Sequence, residues 1–179
     1  VTVTGLAIGT QYTFTAFEYN MDIFDNYNYL ITGYPSLSRY TLAAAPTVQV
    51  TGLTSSALTP SGATLNWTSG NGSYDFVTLR ASTSNTNLPV DGTVYTASST
   101  YGSGSSIGGI PYSYVVYYSS LTSVAVTGLS AATDYVANAC TYNGLSGAQN
   151  FYTTSYPTEG FTTLAAHPTG NCNSLYATD

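Results

Sequence analysis

Charge is what this chain most lacks. It has no lysine, two arginines (Arg39 and Arg80) and a single histidine, and only 6% of its 179 residues are charged. Globular domains average about a quarter, so the composition suits a secreted β protein better than a cytosolic enzyme. The eight Asp and Glu leave a formal net charge of −6. So few basic side chains argue against nucleic acid and anionic membrane as partners. Two cysteines, Cys140 and Cys172, permit one disulfide and exclude a disulfide-rich scaffold. No apolar run approaches the roughly 20 residues of a membrane span. No signal peptide opens the chain, and Val1 stands in mid-pattern, so residues are expected before it.

Reactive constellations are equally scarce. The one histidine, His167, lies beside Pro168 at a domain junction, which offers neither an orienting partner nor a nucleophile; it reads as a linker residue. The carboxylates Glu18, Asp22, Asp25, Asp75, Asp91, Asp134, Glu159 and Asp179 are scattered, and no two stand out as a glycosidase pair. Asp22, Asp25 and Asn26 put oxygen ligands into one loop, at a spacing that matches no calcium motif. The glycines between Gly102 and Gly109 follow no phosphate-cradle pattern and precede a strand, not a helix. Asn66 and Asn71 each open a triplet that fits the N-glycosylation acceptor, a pattern short enough to arise by chance. Neither a catalytic residue, a metal nor a cofactor is expected.

Ser, Thr, Gly, Ala and Tyr fill the space that charge leaves, and the tyrosines number 18. With 43% hydrophobic residues there is enough apolar side chain to bury a core, so disorder is excluded. The chain also copies itself. Residues 1–20, VTVTGLAIGTQYTFTAFEYN, align without a gap on residues 124–143, VAVTGLSAATDYVANACTYN. The offset is 123 throughout, with Gly5 on Gly128, Leu6 on Leu129 and Tyr12 on Tyr135. Each copy is a short β-branched strand, a Gly-Leu turn and a second strand opened by Tyr. Downstream, Leu42-Ala43-Ala44-Ala45-Pro46 matches Leu164-Ala165-Ala166-His167-Pro168 at an offset of 122. One residue therefore separates the loops between the matched parts.

The second copy with its flanks, TSVAVTGLxxxTxYxxxxxxYNG, resembles the E–F strand pair of fibronectin type III repeats. It is closest to the variety found in tandem in large secreted and surface proteins of bacteria. Trp67 stands where such repeats place a core Trp, and residues 89–95 (PVDGTVY) are similar to their PVDGTxY segment. The resemblance implies an all-β fold of tandem fibronectin type III-like, immunoglobulin-like sandwiches. Residues 1–45 would be the C-terminal strands E, F and G of one repeat. Residues 46–165 would be a complete domain, with strand A at 47–53, B at 63–68, C at 74–81 and a further strand at 112–119. Residues 166–179 would be a linker and the first strand of a following repeat or a donor strand, with Cys172 aligned on Val50. The expected core is Trp67, Leu65, Leu129 and Tyr135, with Leu6 and Tyr12 as the first copy's counterparts. Tyr135 would form a tyrosine corner, its hydroxyl bonding back to the backbone near Leu129.

Alternation puts Tyr135, Ala137 and Ala139 on the inner face of strand F, which turns Cys140 and Tyr142 outward. Tyr112, Tyr114, Tyr117, Tyr118, Tyr27, Tyr29 and Tyr34 are too many to be core, and exposed aromatics at this density suggest contact with sugar rings or another subunit. Opposite poles of a sandwich are about 25 Å apart at roughly 3.3 Å per residue, beyond the roughly 7 Å a disulfide allows between Cα atoms. Cys140 and Cys172 are therefore expected to pair, if at all, between units. Other copies of the chain, or neighbouring repeats joined head to tail, are the expected partners, with polysaccharide as a second class. The expected role is a structural, non-catalytic part of an extracellular fibre, filament or adhesin stalk. The alternative is a carbohydrate-binding or spacer module of a secreted polysaccharide-degrading enzyme.

Overall fold

β-Branched and aromatic residues come in short runs separated by Gly, Ser and Asn, a pattern that favours many brief strands. The computed structural model describes residues 1–81, 87–108 and 113–169, and among them are thirteen strands and no helix. In the first segment these are β1 (Gln11–Thr15), β2 (Tyr19–Met21), β3 (Tyr27–Tyr29) and β4 (Ser36–Tyr40). Beyond Pro46 come β5 (Thr51–Ser56), β6 (Gly62–Thr68), β7 (Tyr74–Ala81), β8 (Ser106–Ile107) and β9 (Ser113–Ser119). The last four are β10 (Ser123–Thr127), β11 (Asp134–Asn143), β12 (Asn150–Phe151) and β13 (Thr158–Thr162).

Strands β5 to β13 form a two-sheet β-sandwich. One sheet runs β10-β6-β5, and the facing sheet runs β11-β7-β9-β8, with β13 and then β12 end to end along the other edge of β11. Period-2 alternation in β6 sends Ala63, Leu65 and Trp67 into the space between the sheets. There they meet Leu79 and Ala137 from the other sheet, and Leu129 and Tyr135 from the corner. Trp67 is 6% exposed, stands edge-on to Tyr117 at 5.0 Å, and donates its Nε1–H to Asp75 Oδ2 at 2.9 Å. The Tyr135 hydroxyl accepts the Ser130 N–H at 3.0 Å, just after Leu129. Gly128 makes the turn with φ +76°, a left-handed conformation that suits Gly.

Strand A begins later than the sequence suggests, at Thr51. Side chains occupy the backbone before it: Asn71 Oδ1 accepts the Thr47 and Val48 N–H groups, and Gln49 Oε1 accepts that of Val50. The Gly/Ser stretch at 101–109 is not all loop either, because β8 pairs with β9 there.

The surplus residues between strands C and E build a second apolar layer, which corrects one expectation. Cys140 and Tyr142 do point away from the inner core, but neither faces solvent. They are buried with Phe76, Ile107, Val115 and Phe151 in a cluster on the outer face of the larger sheet. Tyr95 and Tyr118 flank it, and the segment carrying Tyr95 is pinned by backbone bonds. Gly92 N–H donates to Gln149 O at 2.8 Å, and Asp91 Oδ1 accepts the Phe151 N–H at 2.8 Å. Alternation fixes which way a side chain points, not what later folds over it.

The first segment reproduces the β11, β12 and β13 part of this sandwich in the same register. β1 pairs with β4 from Gln11↔Tyr40 to Thr15↔Ser36, and β11 with β13 from Asp134↔Thr162 to Asn138↔Thr158. Adding 123 to the β1 numbers and 122 to the β4 numbers turns one set into the other. Tyr19↔Tyr29 and Asn20↔Asn28 likewise map onto Tyr142↔Phe151 and Asn143↔Asn150. The single-residue difference therefore lies between Asn20 and Asn28. The corner recurs too, with Ala7 N–H donating to the Tyr12 hydroxyl at 2.9 Å and Gly5 at φ +75°. Residues 1–4, the counterpart of β10, are not in a strand. β10 is held by β6 along its edge, and the described residues supply no such neighbour to residues 1–4.

Candidate interaction surface

The β1–β4 pair keeps the register of β11–β13, but no second sheet faces it among the described residues, and its apolar side chains are exposed. Phe14 is 41% exposed where its counterpart Ala137 is fully buried, and Leu37, directly opposite Phe14, is 51% exposed. Leu6 and Tyr12, the first copy's core residues, are only half-buried, whereas Leu129 and Tyr135 are buried. Ile23 and Phe24 at the hairpin tip are also exposed. The edge of β1 opposite β4, where β11 has β7, carries no strand among the described residues.

Aromatics ladder the outer face of the segment. Tyr19 lies 5.3 Å from Tyr27 and 5.6 Å from Tyr29, all three exposed, and Phe17 lies 4.8 Å from Tyr34. A cleft of about 480 Å³ is lined by Phe17, Glu18, Tyr19, Asn20, Asn28 and Leu30. In the loop beyond, Asp22 accepts three N–H groups, from Phe24 and Asn26 backbone and from Asn26 Nδ2. Those donors, the Asn26 side chain foremost, hold its carboxyl below the usual value. They point N–H at the oxygens a cation would need. Among the described residues no group of three His, Cys, Asp or Glu converges into a metal site.

The tyrosines singled out by the sequence divide. Tyr27, Tyr29 and Tyr34 are exposed. Tyr114 is half-buried, in an aromatic row in which Tyr101 stands edge-on to it and to Tyr135, each at 5.2 Å. Tyr117 is buried against Trp67 in the inner core, and Tyr118 is half-buried, stacking on Tyr142 at 4.8 Å and accepting the Gln149 Nε2–H. Tyr112 lies outside the described residues, as does Cys172. Cys140 is a free thiol, fully buried, and burial pushes its pKa up to about 12. Missed from the sequence were Phe14, Phe17 and Leu37, whose larger size than the Ala137, Cys140 and Glu159 they align with is a readable signal.

No family model matches the chain, and no curated protein matches it. Solved structures resemble it at low identity. A computationally redesigned β-sandwich protein is 15% identical over 70% of this chain and all of that one, with a TM-score of 0.42. The crystal structure of FN3tt is 14% identical over 67% of this chain and 99% of that one, at 0.41. A two-domain fibronectin type III segment from chicken tenascin is 17% identical over 89% of this chain and 68% of that one, at 0.39.

Proposed function

We propose that the chain is a structural, non-catalytic segment of an extracellular fibre or surface stalk built from β-sandwich repeats. One observation carries the reading. Residues 1–45 keep the strand register of β11–β13 while leaving Phe14, Leu37 and the free β1 edge uncovered. Strands from a neighbouring repeat or another copy would complete that half-sandwich by β-addition, a contact that joins units head to tail and does not close. The charge-poor composition supports an extracellular setting, and no helix among the described residues is long and apolar enough to cross a membrane. The test is sedimentation of the full chain over a concentration series, with electron microscopy of the heaviest fraction. Growth into filaments is the expected result; a monomer at every concentration overturns it. The exposed Tyr19, Tyr27 and Tyr29 ladder favours one other reading, a polysaccharide-binding module. That reading gains if the monomer is retarded on a polysaccharide gel.

A further inference from the structure

The chain carries, in its own complete domain, a template for what the first segment is missing. In that domain two asparagines face each other at the end of the β11–β12 pair, Asn143 opposite Asn150. Both grip the linker that leads into the domain. Asn143 Nδ2 donates to Ala44 O at 2.9 Å, and Asn150 Nδ2 donates to Ala43 O at 2.9 Å. Ala43 N–H donates to Ala148 O at 2.8 Å. Just downstream, Gln49 spans the adjoining groove, its Nε2 donating to Tyr152 O and its Oε1 accepting the Thr141 N–H.

The first segment carries the same pair of asparagines. Asn20 and Asn28 are the aligned residues and face each other in the same register. Both are exposed, and neither side-chain amide is hydrogen-bonded among the described residues. The cleft of about 480 Å³ lies against them. Its wall residues Glu18 and Leu30 align with Thr141 and Tyr152, which in the complete domain hold Gln49. The Leu30 N–H to Glu18 O bond, 2.8 Å, even repeats Tyr152 N–H to Thr141 O.

A matching linker is present at the other end of the chain. Ala165 and Ala166 align with Ala43 and Ala44, Pro168 with Pro46, and Asn171 with Gln49, again a side-chain amide. Residues 164–168 are exposed. We propose that the linker at 164–169 of one copy seats in the Asn20/Asn28 clamp of a second copy. Asn20 Nδ2 then donates to Ala166 O, and Asn28 Nδ2 to Ala165 O. One difference sets the fit. Met21 stands where the complete domain has Gly144, whose hydrogen side faces Ala43 so closely that a Cβ there would lie 2.9 Å from the Ala43 Cβ. The second linker therefore rides farther from the hairpin than the first.

This inference rests on the head-to-tail reading, and the experiment separates the two. Full chains carrying Asn20→Cys or Ala166→Cys, each with Cys172→Ala, are mixed and treated with a short bis-maleimide. A chain with both Ala44→Cys and Asn143→Cys reports that the template pair itself is bridged. A covalent dimer from the mixture, and from neither variant alone, is the expected result. Asn20→Ala with Asn28→Ala is expected to weaken association of the otherwise unaltered chain by roughly fivefold per bond lost. Assemblies that sediment as filaments but give no mixed dimer overturn the clamp and leave the fibre intact. A monomer that gives no mixed dimer overturns both.

Discussion

Trp67 joins the two chemistries of the inner core. Its ring fills the space between the sheets, and its Nε1–H goes to Asp75, a carboxylate that is 1% exposed and buried beside it. Asp75 Oδ2 also takes the Ser69 hydroxyl, while its Oδ1 has no hydrogen-bond partner among the described residues. Replacing Trp67 by Ala should cost about 3–5 kcal/mol, from lost burial and the cavity left behind. Replacing it by Phe keeps much of the packing but removes a donor from a buried carboxylate, which should still cost about 1–3 kcal/mol. Urea unfolding of the two variants measures both numbers. Near-equal losses would mean that the hydrogen bond, not the ring volume, dominates.

Among the elements, the outer layer is the one that most changes the behaviour of its residues. The segment around residues 89–107 roofs Cys140 and Tyr142, and burial raises the pKa of Cys140 to about 12 and that of Tyr142 and Tyr156 further. The sign of the linkage follows. The folded state holds these protons more tightly than the unfolded chain, so their contribution is fully present below the unfolded thiol value near 9. It is lost as pH rises from there towards about 12. The urea midpoint should therefore stay level up to about pH 9 and fall beyond it, and Cys140 should resist thiol reagents until the layer opens. Asp91→Ala, which frees the Phe151 N–H from its acceptor, should speed labelling of Cys140 well before it unfolds the domain. This layer is also where the sequence was least legible. The strands of the sandwich announce themselves by alternation in β6 and by the corner residues Gly128, Leu129 and Tyr135, all local patterns. That Ile107 and Tyr95 fold onto the back of the larger sheet depends on contacts far apart in the chain, and no periodicity encodes it. The first segment was half legible: repetition located it, but Phe14 and Leu37 gain their meaning only once the register shows them facing each other.

At the scale of the molecule, the β5–β13 sandwich buries apolar side chains on both faces of its larger sheet. The first segment repeats the pairing of β11 with β12 and β13 but leaves Phe14, Leu37 and Tyr19 exposed. Its stability should therefore respond to different changes. Phe14→Asp with Leu37→Asp puts two charges on the bare face, opposite each other in the β1–β4 pair. In an isolated chain these sites are solvated, so the substitutions should leave the main unfolding transition within about 0.5 kcal/mol of the parent. In an assembly the same carboxylates would be buried against apolar strands with no partner, at a cost of several kcal/mol per ion. Association should then fall by orders of magnitude while the fold of residues 46–165 persists. Measuring the urea midpoint and the sedimentation distribution on the same sample decides the point. A variant that still assembles like the parent would show that this face is not where the units meet.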